Sequence, residues 1–249
     1  MRKGLLLTER DTYIICHLSY GPATDENIYR TFFLKEGGNT KTRRRVMVKR
    51  LHKLEADGYI ISKVNPRVKG VIYMLQKKGG QYAADQLGRE VSNVWSHCPK
   101  NADIYHDLMV SELARTAVYE IARSEGYQIA FFLLEHCLKT VEVKKGLCYP
   151  DFKIGVKTLV GERIYDVEID CGTISRADFI AKMNSFDGII LVATNTEERM
   201  VLLRGYTTGL YSGKTIYIST YEKIMREGFF KGKWFSVAAN DWRLLYRGQ

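Results

Sequence analysis

A short stretch near the N-terminus, residues 40–54 (TKTRRRVMVKRLHKL), combines high positive charge with helical periodicity: it holds seven Lys and Arg and no acid. Met47, Leu51 and Leu54 recur at the i, i+4, i+7 spacing of one helix face, and cations fall on the roughly opposite face. We predict a helix that docks on a small core by one side and faces a polyanion with the other. Counterion release makes duplex DNA the best such partner. The alternative is a solvated basic face without a partner.

Two predicted helices precede this basic helix. Thr8 is a candidate N-cap, followed by acidic residues in the first turn and then by an apolar stripe. A second helix is predicted over residues 23–33, and Asp57 with Gly58 supplies an end for the basic helix. The chain is therefore predicted to begin with three helices.

A β-hairpin is predicted directly after them. Two β-rich runs, at residues 59–64 and 71–75, flank a turn that contains Pro66 and Gly70. Three helices followed by a basic-tipped hairpin are typical of a winged helix-turn-helix, whose third helix enters the major groove of double-stranded DNA and whose wing contacts the flanking backbone. The predicted DNA contacts are Lys41, Arg43, Arg44, Arg45, Lys49, Arg50, Lys53, Arg67 and Lys69.

The positive charge is concentrated in the N-terminal part of the chain. Residues 1–97 hold 18 Lys and Arg against 9 Asp and Glu, a net charge of +9, which leaves about +1 of the total of +10 for residues 98–249. A polar stretch with Pro99 interrupts the helical periodicity between them. We predict a DNA-binding domain at 1–97 and a second domain with another task at 98–249.

Composition restricts the class of protein further. With 45% hydrophobic and 12% aromatic residues, the chain can form real cores rather than remain disordered. No apolar run approaches the roughly 20 residues of a membrane span, and no signal peptide is evident. The five cysteines are odd in number and lack a CxxC pair, which is typical of a reducing compartment. We expect a cytoplasmic protein with no membrane partner.

The second half alternates helical and β patterns, which predicts an α/β domain with a mixed sheet flanked by helices. The predicted helices are 106–124, 176–185, 197–204 and 221–227. The predicted strands are 129–134, 140–143, 151–156, 163–169, 188–194 and 215–219. An aromatic-rich segment at residues 228–246 is expected to close a core, with an interface as the alternative. The predicted fold class is therefore α+β.

Acidic residues of this half are grouped on two predicted strands. Asp151 begins one strand, and in the next Asp166, Glu168 and Asp170 share one face. Clustered carboxylates suit hard cations, so Asp151, Glu168 and Asp170 are predicted to ligate Mg²⁺ or Mn²⁺. Such a metal could activate water against a phosphodiester. The alternative is a solvent-exposed acidic strand face on an inactive sheet.

Three other residues are candidates for the same chemistry. Lys182, on the following helix, is predicted to stabilise charge on phosphorus. His106 is a candidate general base, with a buried helix-start histidine as the alternative. Glu112 is a candidate extra acid, although its helical phase places it away from the apolar stripe.

The order Pro150-Asp151, Glu168-x-Asp170 and a helical Lys182 resembles the PD-(D/E)xK restriction-endonuclease-like superfamily. The pattern departs from the superfamily at Asp170, where a lysine is usual, and Lys182 would be a relocated equivalent. The resemblance implies a restriction-endonuclease-like second domain, in which Asp151, Glu168 and Lys182 would be catalytic; His106 remains a separate catalytic candidate.

The chain as a whole resembles the bacterial replication-relaxation family of plasmids and other mobile elements. The matching pieces, in family order, are residues 7–11, 51–58, 106–108, 150–151, 168–173 and Lys182 with Phe186. They span about residues 5–205. The resemblance implies a winged-helix N-terminal domain, a nuclease-like C-terminal domain and a role in replication or DNA processing of a mobile element.

Two functions follow. In the first, the winged helix chooses a DNA site and the second domain cuts or nicks it with a metal ion. In the second, the protein is a non-catalytic replication accessory factor or transcriptional regulator, whose second domain serves homodimerisation or docking of mobile-element replication or transfer proteins.

Overall fold

The computed structural model describes residues 5–34, 39–96, 98, 100–141, 148–207, 210 and 213–245. The chain divides into two compact units, residues 1–111 and 112–249. The division falls inside a long helix that begins at Ile104, whereas the sequence predicts the domain boundary at residues 97/98.

The N-terminal unit has the winged helix-turn-helix order that the sequence predicts. Its first helix starts at a capping box, in which the Thr8 hydroxyl oxygen accepts a hydrogen bond from Asp11 N. The second predicted helix is a short α-helix that continues as a π-helical turn over Tyr29–Phe33. In chain order the elements are α1 (Glu9–Leu18), β1 (Ala23–Thr24), α2 (Asp25–Ile28), α3 (Thr40–Ala56), β2 (Ile60–Val64), β3 (Val71–Leu75) and α4 (Lys77–Leu87).

The core of this unit fixes the orientation of α3. Met47, Leu51 and Leu54 are its buried residues, as the periodicity predicts, and they share one cluster with Ile14 and Leu18 of α1. The three strands form an antiparallel sheet in the order β1-β3-β2. Full burial of each of these apolar side chains contributes about 2 kcal/mol, so α3 is held by its apolar face.

Helix α4 is not among the elements predicted from the sequence, and it contains Gly79 and Gly80 although glycine weakens a helix interior. The structure gives the reason for the first glycine. A Cβ at Gly79 would lie 2.0 Å from the carbonyl oxygen of Tyr59, so only glycine lets α4 approach the start of the hairpin so closely. A 3-10 turn follows at Val91–Asn93.

The C-terminal unit is built on a seven-stranded mixed sheet in the order β10-β9-β8-β7-β6-β5-β4. Strands β6, β7 and β8 are parallel and the other neighbours are antiparallel. In chain order the elements are the part of α5 (Ile104–Ala122) after residue 111, β4 (Gln128–Leu134), α6 (Glu135–Val141), β5 (Phe152–Thr158), β6 (Gly161–Asp170), α7 (Arg176–Ser185), β7 (Ile189–Thr194), α8 (Glu197–Tyr206), β8 (Ile216–Thr220), α9 (Tyr221–Glu227), β9 (Lys233–Ser236) and β10 (Asp241–Leu244).

One predicted strand of this unit is wrong. Residues 140 and 141 belong to helix α6, and 142–143 lie outside the described residues. The β-branched Thr140 and Val141 favour a strand locally. The helix forms instead directly after β4, with an ion pair of 2.7 Å between Glu135 and Lys139 one turn apart.

The aromatic segment near the C-terminus closes the core, as expected from the sequence. Phe229 and Trp234 are fully buried, and Trp234 Nε1 donates to the Phe229 carbonyl oxygen at 2.7 Å. The hairpin β9–β10, which the sequence analysis does not predict, extends the sheet past β8. Among the residues that the structure describes, no helix has the length and hydropathy of a membrane span.

Candidate functional site

The docking of α3 by its apolar face exposes a line of cations along the opposite side. Four of the predicted DNA contacts recur at intervals of four residues and are all exposed. These four residues, Lys41, Arg45, Lys49 and Lys53, are called the cationic ridge below. Residues four apart are neighbours on a helix surface, so the ridge is continuous over the length of α3.

Arg44 lies three residues after Lys41 and three before the buried Met47, and it contacts residues of α2 and the π-helical turn that follows it. Its Nη2 donates to Glu26 Oε2, and its guanidinium carbon lies 4.2 Å from the centroid of the Tyr29 ring. Glu26 also accepts from Arg30 Nε at 2.8 Å. The hydrogen bond from Arg44 lowers the pKa of Glu26, so this carboxylate stays charged. Arg43 is half-buried.

Arg50 forms an ion pair with the buried Asp11 of α1. Its Nε donates to Asp11 Oδ1 at 2.7 Å and its Nη2 to the Leu6 carbonyl oxygen at 3.0 Å. Asp11 is fully buried and also accepts from Thr8 N at 2.6 Å. Burial raises the pKa of Asp11, but the hydrogen bonds from Arg50 and Thr8 outweigh it and hold this pKa below its ordinary value. Arg50 therefore ties α3 to α1.

The two predicted wing contacts, Arg67 and Lys69, are exposed in the turn between β2 and β3. Asn65, which is 2% exposed, organises this turn: its Oδ1 accepts from Arg67 N at 2.9 Å and its carbonyl oxygen from Val68 N at 3.0 Å. The side chains of both cations are thus carried on a turn of defined shape.

The acidic face of β6 is interior. Asp166, Glu168 and Asp170 share one face, as predicted, but they are 0%, 5% and 4% exposed, so the alternative of a solvent-exposed acidic face is wrong. A buried carboxylate needs a partner. Each has a cation: Lys153 Nζ lies 3.4 Å from Asp166 Oδ1, Lys182 Nζ 2.5 Å from Glu168 Oε1, and Arg199 Nε 2.5 Å from Asp170 Oδ2.

The structure brings Asp151, Glu168 and Lys182 together. Phe152 of β5 pairs with Val167 of β6 in antiparallel register, so Asp151 lies opposite Glu168 one step further along. Asp151 Oδ2 accepts a hydrogen bond of 2.7 Å from Ile169 N. Lys182 reaches Glu168 from α7.

The charge of this group is balanced locally. Burial lowers the pKa of Lys182, but the carboxylates of Glu168 and Asp151 outweigh it and raise this pKa above its ordinary value. Glu135 adds to the same effect. Glu135 is not among the predicted site residues; its backbone N donates to the Asp151 carbonyl oxygen at 2.9 Å. Its position at the end of a strand next to β5 is the signal that could have identified it.

Asp170 has a different environment. Its Oδ2 binds Arg199, and its Oδ1 accepts from Gly172 N at 2.9 Å. Arg199 also donates to the Ile174 carbonyl oxygen at 2.8 Å. Both carboxylate oxygens of Asp170 are thus bound by the protein itself, which closes the turn after β6. Arg199 is not among the predicted site residues, because it follows β7 in the chain and reaches Asp170 only through the parallel pairing of β6 with β7.

The donor set for a metal ion is correspondingly small. Within the described ranges, no group of three or more His, Cys, Asp or Glu side chains is arranged to hold a metal. Asp151 immediately precedes β5 and lies opposite Glu168 of β6, and Mg²⁺ is commonly bound by one or two carboxylates with water and substrate phosphate as the other ligands. Both carboxylate oxygens of Asp170 are already bound by the protein.

Two further catalytic candidates lie elsewhere. His106 belongs to the N-terminal unit, and its Nδ1 lies 3.5 Å from Asp107 Oδ1. The other three predicted catalytic residues belong to the C-terminal unit. The carboxylate of Glu112 accepts a hydrogen bond from the Tyr221 hydroxyl.

Comparison with known proteins gives one family and one structure. The profile of the replication-relaxation family matches residues 19–201. The structure of a mutant of Lactococcus lactis ZitR is similar at a TM-score of 0.28 and 18% identity, and the match covers 42% of this chain and 62% of that one. No curated protein matches the chain.

Proposed function

Because this chain belongs to the replication-relaxation family, we propose that it binds double-stranded DNA and acts in the replication or processing of a plasmid or other mobile element. The cationic ridge carries this proposal. It supplies four exposed charges on the third helix of a winged helix-turn-helix, the helix that enters the major groove in this fold. Arg67 and Lys69 of the wing would contact the flanking phosphates.

A competition titration tests duplex binding. The protein is titrated against a labelled duplex of about 30 base pairs, and unlabelled duplex or single-stranded DNA of the same sequence is then added. We expect the duplex to compete at a much lower concentration, because a helix shaped for the major groove has no such groove in a single strand. Equal competition by the single strand would contradict the proposal.

For the C-terminal unit we propose a metal-dependent DNA nuclease or nickase centred on Asp151 and Glu168. These carboxylates would hold Mg²⁺ or Mn²⁺, which supplies Lewis-acid stabilisation and a more acidic bound water. The Ile169 N–H orients Asp151, and the Lys182 ammonium stabilises negative charge that develops on the phosphate. Asp170 and Arg199 hold the end of β6 in place.

Replacing Asp151 by Asn tests this site through metal binding. The amide keeps an acceptor for the Ile169 N–H but removes the negative charge, so we expect Mn²⁺ binding in isothermal titration to weaken at least tenfold and nicking of supercoiled plasmid to be lost. Glu162→Ala, which removes an exposed acid from the other end of β6, is the control and leaves both unchanged. Equal Mn²⁺ binding by the wild type and Asp151→Asn would contradict the assignment.

A non-catalytic role is the second candidate, and the ion pairs of β6 favour it. Each acid of that strand face already has a cation, an arrangement that maintains a fold without a metal. The C-terminal unit would then serve homodimerisation or docking of replication or transfer proteins. Wild-type protein that binds DNA but shows neither Mn²⁺ binding nor nicking supports this candidate, and its mass in solution would show the dimer.

A further inference from the structure

Arg44 differs from the ridge cations because it is held on two sides. Glu26 binds one amino group of its guanidinium, and the Tyr29 ring lies against the guanidinium plane at 4.2 Å. Its side chain is nevertheless 40% exposed. The contacts described for Arg44 thus use one amino group and one face of its guanidinium.

This environment does not suit a phosphate contact. Glu26 offsets the charge of Arg44 and would repel an approaching phosphate, so the pair would release few counterions. The ridge residues next to it have exposed charges and suit phosphates better.

The same environment suits the recognition of a base. A guanidinium presents a planar, rigid fork of N–H donors, and holding it in one orientation reduces the entropy lost on binding. Arg44 lies in the second turn of α3, and the N-terminal residues of a recognition helix are those that contact base edges. The fork matches the O6 and N7 acceptors of guanine in the major groove.

We infer that Arg44 reads a guanine in the DNA target, with Glu26 and Tyr29 as positioning residues. This inference rests on the proposed binding of duplex DNA by α3. Under this inference the cationic ridge of α3 supplies affinity for DNA, and Arg44 supplies specificity for the base sequence.

Selection from a duplex library with a randomised central segment tests this division. The full chain is used as wild type, Arg44→Lys and Arg176→Lys, two changes that keep the charge and remove the planar fork, the second at an exposed arginine of the C-terminal unit. We expect the wild type and Arg176→Lys to enrich the same sites with a fixed guanine. Arg44→Lys loses preference at that position by roughly 5- to 150-fold, the discrimination of one bidentate pair.

A second variant tests the positioning role. Glu26→Gln leaves the guanidinium in place but weakens its anchor, so we expect the same guanine preference to fall without any new preference. Retention of the full guanine preference by Arg44→Lys would overturn the inference, as would the absence of any fixed guanine in the wild-type sites, while duplex binding would stand. Failure of the wild type to bind any duplex would overturn the proposed function as well.

Discussion

Replacing Lys41, Arg45 and Lys49 together by Ala is expected to weaken duplex DNA binding by roughly 10²- to 10³-fold at about 0.1 M salt. Each lost phosphate contact reduces the magnitude of the slope of log K against log salt concentration by about 0.9, which at about 0.1 M salt lowers the affinity by nearly an order of magnitude. The losses for the three contacts multiply and give the expected range. All three side chains are exposed, so the fold should be retained. Fluorescence anisotropy with a labelled duplex measures the affinities.

The control for this variant removes the same charge elsewhere. Lys77, Lys100 and Lys157 are exposed cations outside α3, and their joint replacement by Ala changes only the net charge of the protein. We expect a much smaller loss of affinity, without a change of the DNA site. A loss as large as that of the ridge variant would show that total charge, rather than the ridge, determines binding.

Replacing Asp11 by Ala is expected to destabilise the N-terminal unit by about 3 kcal/mol, because removing one partner of a buried ion pair leaves the other without compensation. Asp11 is fully buried beneath Arg50 and also completes the capping box with Thr8. The shift of the urea unfolding midpoint measures the effect. In the control, Asp57→Ala removes a surface pair with Lys78, and such pairs contribute at most about 1 kcal/mol. Equal stability of the wild type and Asp11→Ala would contradict the assignment.

The stabilisation by Asp11 is also expected to depend on pH. Its pKa in the folded protein is lowered, so the carboxylate contributes its full stability above the unfolded-state pKa of about 3.9. This contribution is lost as the pH falls through the folded-state pKa. The difference in unfolding free energy between the wild type and Asp11→Asn should therefore be constant near neutral pH and shrink below about pH 4. A difference that does not change with pH would show that the charge of Asp11 is unimportant.

The sequence predicts the buried side of α3 but not which of its cations bind other residues of the protein and which remain exposed. Helical spacing alone identifies Met47, Leu51 and Leu54 as the buried face. The partners that engage Arg44 and Arg50 lie 18 and 39 residues away along the chain, so no local pattern reveals them. Helical periodicity predicts which side of a helix faces a core. It does not predict which acidic residues from distant parts of the chain form ion pairs with that helix.

The acidic strand shows the same limit. Alternation along β6 places Asp166, Glu168 and Asp170 on one face, and Lys182 follows from its position on the next helix. Their burial and the pairing of Asp170 with Arg199 depend on the strand order and on the helices that pack beside β6, neither of which the sequence specifies. Local propensity also disfavours α4, in which Gly79 allows a close approach to the Tyr59 carbonyl oxygen at the start of the hairpin.

The salt dependence of wild-type binding to duplex DNA tests the central claim most directly. If the four ridge cations contact phosphates, the slope of log K against log salt concentration between about 50 and 200 mM should be near −3.6, and steeper if the wing also contacts the backbone. A slope near zero, or no binding at about 50 mM salt, would contradict the claim that α3 is a DNA-binding surface.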